Sequence, residues 1–191
     1  MTQLVENFDE MRHRNRLCRN RNVTFRAAVK PFYSARHSSG FHQLVRSTLG
    51  RSGALIVLSV GFHNSFNASR LLRHYLDPAV ELIRRFYRGQ RPKVKRWPEI
   101  VFSLPMRNGL LKPVGHLRLQ HRSLLLFESS MRSYFDRNNI NVLDFQDLGE
   151  KVHSYDGVHY DVTVNLMKTQ IILNYLAKLS GGLYSKKTHM S

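Results

Sequence analysis

Asp156 and His159 stand three apart in the run S-Y-D-G-V-H-Y from Ser154 to Tyr160. A carboxylate and an imidazole on one turn can act as a general base and its orienting partner. The ring takes a proton from a hydroxyl nucleophile while the carboxylate steadies the imidazolium that forms. A second polar group, Gly61-Phe62-His63-Asn64, follows the apolar run A-L-I-V-L-S-V. That places it after a candidate strand, at the end where the sites of parallel sheets collect. Neither group is specific by itself. With seven Asp and ten His in 191 residues, a D-x-x-H arises by chance in roughly one such chain in three. The same residues also suit a helix-capping Asp, a surface His, a sheet-edge histidine at 63 and an N-cap at Asn64.

The flanking segments say what must position these groups. After the Asp–His turn, Val164, Met167, Ile171 and Tyr175 recur at steps of three and four, and Ile172, Leu176 and Leu179 widen the stripe. That is a helix laid against a core, with Gly181-Gly182 as its predicted stop. The run over 54–61 is continuously apolar and bounded by glycines, as in strands buried on both faces of a parallel sheet. A helix is predicted over 3–14 (Leu4, Val5, Phe8 and Met11 on one side), a strand over 22–29 and a helix over 41–49. A helix over 65–88 turns Leu72, Tyr75, Leu76, Ala79, Val80, Ile83 and Phe86 inward, with a kink or break expected at Pro78. A basic connector over 89–98, a strand over 99–104 and a loop over 106–115 that could cover a site come next. A helix over 116–137 carries Leu117, Leu124, Phe127, Met131 and Tyr134, and a last strand spans 139–145. Strands alternating with helices indicate an α/β doubly wound parallel sheet, whose sites collect at the C-terminal strand ends. Both polar groups fall on that edge.

The length suits one domain, over 1–183, followed by a short tail over 184–191. No stretch reaches the 18 or so apolar residues of a membrane span. The opening M-T-Q-L-V-E-N-F is amphipathic and acidic, unlike a secretory signal. Cys18 is the one cysteine, which excludes an internal disulfide framework and a cysteine-rich metal site. Among the histidines only His116 and His121 approach ligand spacing, so neither a metal nor another cofactor is expected. The formal charge of +17 attracts polyanions, densest at Arg12–Arg26 and over Arg84, Arg85, Arg88, Arg91, Lys93, Lys95 and Arg96. Such a face is either simply solvated or an anion site. No helix-turn-helix, zinc-finger, RRM or KH pattern specifies a nucleic acid.

In this order, L-I-V-L-S-V-G-F-H, a long helix, I-V-F-S-L, N-V-L-D-F and D-G-V-H-Y resemble the PC-esterase branch of the SGNH (GDSL-like) hydrolase superfamily. The nearest type is the neurexophilin-and-PC-esterase (NXPE) domain, over nearly the whole chain. The resemblance implies a flavodoxin-like sheet and a carbohydrate O-acyl esterase or O-acetyltransferase activity. It implies Asp156 and His159 as the catalytic pair, and Gly61 with His63, or Asn64, as oxyanion donors. The family nucleophile is the Ser of a G-D-S block, and no G-D-S occurs in this chain. Ser39, Ser52 and Ser59 do not stand in a comparable turn. Because M-T-Q-L-V-E-N-F resembles the continuation of that block, the expectation is a chain that starts just after it, lacks the first strand and is inactive alone. The alternative is a non-catalytic pseudoenzyme that binds an acidic glycan through its basic face. Sequons at Asn22 and Asn67 fit the Golgi-lumenal or secreted setting that the family implies.

Overall fold

The structure is a computed structural model that describes residues 30, 32, 35–90, 95–107, 114–149, 152, 154 and 160–184, with side chains left aside at 114–121 and 180–184. The predicted helix over 3–14, the strand over 22–29, Cys18 and all of the tail but Tyr184 lie outside the described residues. So do 91–94 of the basic connector and 108–113 of the predicted loop.

Three short apolar runs make the sheet: β1 (Leu55–Leu58), β2 (Glu99–Ser103) and β3 (Asn141–Leu143), all parallel in the order β1-β2-β3. Leu55 lies beside Glu99 and Val101 beside Asn141, which fixes the register. Alternation then sends successive side chains to opposite faces. Ile56, Leu58, Ile100 and Phe102 join a cluster with helices on one face, and Leu55, Val57, Val101 and Leu143 join a second cluster on the other. The chain is therefore a mixed α/β fold with a small open parallel sheet covered on both sides. Among the described residues, the outer edge of β1 pairs with no strand.

The first face carries α1 (Ser38–Thr48), α2 (Ala68–Leu71), α3 (Asp77–Phe86) and α4 (Val114–Asn138). Phe41 and Val45, four apart, bury α1 against Tyr75. Leu71, Tyr75, Leu76 and Ala79 do the same for the next helices, and Leu124, Phe127, Met131, Tyr134 and Phe135 for α4. Pro78 leaves its mark as a five-residue π turn, Leu72–Leu76, rather than a break. Its ring would collide with the carbonyl four residues back and it offers no N–H, so a wider turn just before it relieves both defects. Phe86, predicted inward, is 45% exposed at the end of α3.

The second face is covered by α5 (Val162–Tyr184). Val164 is buried, and Ile171, Ile172 and Tyr175 pack on Val101, Leu143 and Phe145. Two expectations fail here. Met167 is 48% exposed, because the inward position four residues after Val164 belongs to Lys168, whose ammonium lies 5.5 Å from the centre of the Phe145 ring. A long aliphatic stem can cover apolar surface as well as a methionine does. Gly181-Gly182 do not stop the helix, which continues to Tyr184. A helical glycine costs about 1 kcal/mol relative to alanine but forbids nothing.

At the start of β2, Glu99 accepts hydrogen bonds from the Tyr175 hydroxyl and from Asn141 Nδ2 (3.0 Å), and pairs with Lys95 at 3.1 Å. Burial works to raise its carboxyl, but these three donors outweigh that and hold it below the ordinary carboxylate range. A depressed folded value stabilises the protein above the unfolded value and loses that contribution as pH falls through the folded one. Urea midpoints of the native chain are therefore expected to fall more steeply between roughly pH 5 and pH 3 than those of Glu99→Gln. Parallel pH curves would remove Glu99 from the acid response.

Candidate active site

Because the strands are parallel, their C-terminal ends share one edge. Three connections gather there: Gly61–Asn64 after β1, Met106 and Arg107 after β2, and the 3₁₀ turn Gln146–Gly149 after β3.

Gly61 has φ of +149° and precedes a 3₁₀ turn, Phe62–Asn64. Its carbonyl accepts from the N–H groups of both Asn64 and Phe66 at 3.0 Å, which closes the loop on itself. Ser65 and Phe66 then take left-handed backbone, with φ of +50° and +54°. Non-glycine residues in that region each cost on the order of 1–3 kcal/mol and tend to cluster at functional sites. Phe66 meets the Phe127 ring of α4 at 5.7 Å and pins the loop to the core. His63 is exposed, with its ring edge-on to Phe62 at 5.6 Å. Asn64 is buried to 6% exposure. The helix that follows is capped by Asn67, whose Oδ1 accepts from Arg70 N–H at 2.9 Å. The N-cap alternative for Asn64 therefore falls away, and the residue in the second sequon takes that role.

Asp156 and His159 lie outside the described residues, but the residues that bracket them do not. Ser154 and Tyr160, which bracket them in the sequence, form an antiparallel bridge. Both bridge residues are buried, and the Ser154 hydroxyl has no hydrogen-bond partner among the described residues. The Tyr160 hydroxyl donates to the carbonyl of Arg107, tying this point to the end of β2. Gly149 packs beneath both: a methyl added there would lie 2.6 Å from the Arg107 carbonyl oxygen and 2.6 Å from the Tyr160 hydroxyl. Arg107 is bound a second time, its N–H to the Gln146 carbonyl at 3.3 Å. Asp161 Oδ1 accepts from Val164 N–H at 3.1 Å, so the carboxylate after Tyr160 caps α5.

Alongside runs a polar chain that the sequence reading did not single out. Glu128 Oε1 accepts from Arg132 Nε at 2.8 Å, and its Oε2 accepts from Gln146 Nε2 at 2.7 Å. Arg132 also pairs with Asp144, which accepts from the Gln146 N–H at 3.0 Å. Burial alone would lower the Arg132 guanidinium, but the two carboxylates overcome it and hold its pKa above the usual arginine value. The spacing of Glu128 and Arg132, four apart on one helix, was a readable signal; their joint hold on the turn after β3 was not. Farther along α5, burial lowers the pKa of Lys168.

The edge thus combines a strained loop bearing Gly61, His63 and Asn64 with the anchored residues, Ser154 and Tyr160, that bracket Asp156 and His159 in the sequence. Ser59 is exposed directly after β1, whereas Ser39 lies within α1 and Ser52 in the turn before β1. Among the described residues no three His, Cys, Asp or Glu side chains approach closely enough to hold a metal ion, and no helix is long and apolar enough to cross a membrane. Comparison with known proteins finds no matching family model, no curated relative and no solved structure.

Proposed function

We propose that this chain is an acyl-ester domain of the SGNH type acting on carbohydrate O-acyl groups, with a flavodoxin-like sheet in which His159 is the general base and Asp156 its orienting carboxylate. Gly61 and Asn64, with His63 beside them, receive the oxyanion. The single observation that carries the reading is the shared strand edge. The turn bearing Asp156 and His159 is bracketed by a buried bridge at the end where the strained loop of Gly61 and Asn64 lies. Two groups that must cooperate on one carbonyl need to belong to one edge, and that shared edge supports the reading.

The reaction requires a hydroxyl nucleophile, and no Gly-Asp-Ser is present to supply it. The outer edge of β1, unpaired among the described residues, is where a flavodoxin-like order adds its first strand, and a serine at that strand's C-terminal end would reach the same edge. Acyl transfer would then proceed by proton transfer from that serine to His159, attack on the ester carbonyl, and collapse of the tetrahedral oxyanion. Collapse expels the sugar alcohol, which takes the proton from His159. Water or an acceptor hydroxyl, deprotonated by His159, would then cleave the acyl-serine ester and restore the serine.

The test compares the chain as it stands with a form extended at its N-terminus by a strand ending in Gly-Asp-Ser, assayed by acetate release from an activated aryl acetate. Turnover is expected only in the extended form. His159→Ala in that form should lower it by roughly three orders of magnitude, whereas Ser59→Ala should leave it intact. Turnover indifferent to His159, or no turnover in a folded extended form, would overturn the assignment.

A further inference from the structure

At the opposite edge of the sheet, where β2 and β3 begin, a groove of about 560 Å³ opens between α3 and the late part of α5. Its floor is aliphatic: Val80, Ile83, Ile140 and Leu179, with Pro98 at one side. Its polar lining is three amide side chains, Asn138, Asn139 and Asn141, and three cations, Arg84, Lys95 and Arg96.

The electrostatics of that lining are one-sided. Glu99 is its single acid, and Lys95, Tyr175 and Asn141 already occupy that carboxylate. Lys95 is further fixed 4.5 Å from the centre of the Trp97 ring. Arg84 donates to Asn138 Oδ1 at 2.7 Å but pairs with no carboxylate among the described residues, and neither does Arg96. Two guanidinium groups therefore border an apolar floor with no salt bridge among the described residues; Glu81, which also feels Arg84, makes its close contact with neighbouring Arg85 at 2.6 Å. A planar guanidinium suits the oxygens of a sulfate or carboxylate better than an ammonium does.

We infer that this groove binds an anionic saccharide unit, its sulfate or carboxylate held by Arg84 and Arg96, its hydroxyls by Asn139 and by the amide oxygen of Asn141, whose Nδ2 is engaged with Glu99 and Tyr175, and its C–H face by the aliphatic floor. A nucleic-acid strand is the less suitable occupant. Such strands are bound on aromatic platforms, and no lining residue is aromatic; Trp97 beside the groove is buried. The inference is independent of the acyl reading, since the groove lies at the other end of the strands.

Calorimetric titration of the full chain with a heparin-derived disaccharide is expected to show saturable one-to-one binding. Arg84→Gln/Arg96→Gln should weaken it about tenfold or more. Arg70→Gln/Arg73→Gln, which removes equal charge from exposed positions elsewhere, should weaken it less than about twofold. Arg84→Lys/Arg96→Lys keeps the charge but not the fork and should still lose several-fold; it carries the test if the glutamine pair fails to fold, as thermal midpoints would reveal. Equal losses in the two glutamine pairs, or absence of saturation, would overturn the site. Tighter binding of a DNA oligomer of equal charge, or inorganic sulfate binding as well as the disaccharide, would overturn the saccharide assignment.

Discussion

Gly149→Ala is expected to destabilise the fold by about 2–5 kcal/mol, far beyond what one added methyl does at an ordinary buried position. The new carbon would sit 2.6 Å from the Arg107 carbonyl oxygen and 2.6 Å from the Tyr160 hydroxyl. Neither can yield cheaply. The carbonyl belongs to a backbone held by the Gln146 hydrogen bond, and the hydroxyl belongs to a buried ring that donates to that carbonyl. Relief requires breaking the Tyr160–Arg107 bond or shifting the turn after β3. Tyr160→Phe removes only the hydroxyl and should cost about 1–2 kcal/mol. The two changes share one contact, so the double variant should cost less than the sum. Urea denaturation of the three variants measures this; strict additivity, or a Gly149→Ala loss no larger than that of Tyr160→Phe, would refute the steric account. Because Tyr160 is one end of the bridge that brackets Asp156 and His159, any turnover that depends on those residues should fall with it.

What the sequence disclosed divides along the range of the interaction. Strands β1 and β2 were readable because a run buried on both faces needs apolar residues at successive positions, and A-L-I-V-L-S-V and E-I-V-F-S-L supply them. Helices α1 and α4 were readable from their period, and the disturbance at Pro78 from its missing N–H. Position around a helix was less readable at its margins: Met167 and Phe86 have the right hydrophobicity, but each stands at the edge of its stripe and faces solvent. Asn64 and Asn67 both had the chemistry of an N-cap, and only the backbone geometry chose Asn67. The Gly149–Tyr160–Arg107 contact was invisible because it joins three segments far apart in sequence, and nothing local marks Gly149 as a packing glycine. The candidate residues after β1 were legible as a motif, while their strain was not, since Ser65 and Phe66 are not residues that announce left-handed backbone.

Gly61→Ala tests that strained loop and should cost about 2–4 kcal/mol through two separable causes. The first is conformational: a φ of +149° is one that a side chain rarely tolerates. The second is spatial: the added carbon would lie 3.2 Å from Phe127 Cζ and 3.5 Å from Phe66 Cδ1. Phe127→Leu shortens the obstructing ring, and though it costs stability alone by opening a buried space beside Phe102 and Phe66, it should couple favourably with Gly61→Ala by about 1 kcal/mol in a double-mutant cycle. Recovery should remain partial, because the backbone penalty survives any change at Phe127. Full recovery would mean that crowding alone demands glycine, and a cost within experimental error would mean that the loop relaxes freely. If the proposed oxyanion role holds, the extended Gly-Asp-Ser form offers an independent readout. Gly61→Ala should lower its turnover even where the protein is still fully folded, since a displaced amide misses an oxyanion whose position is set within a few tenths of an ångström.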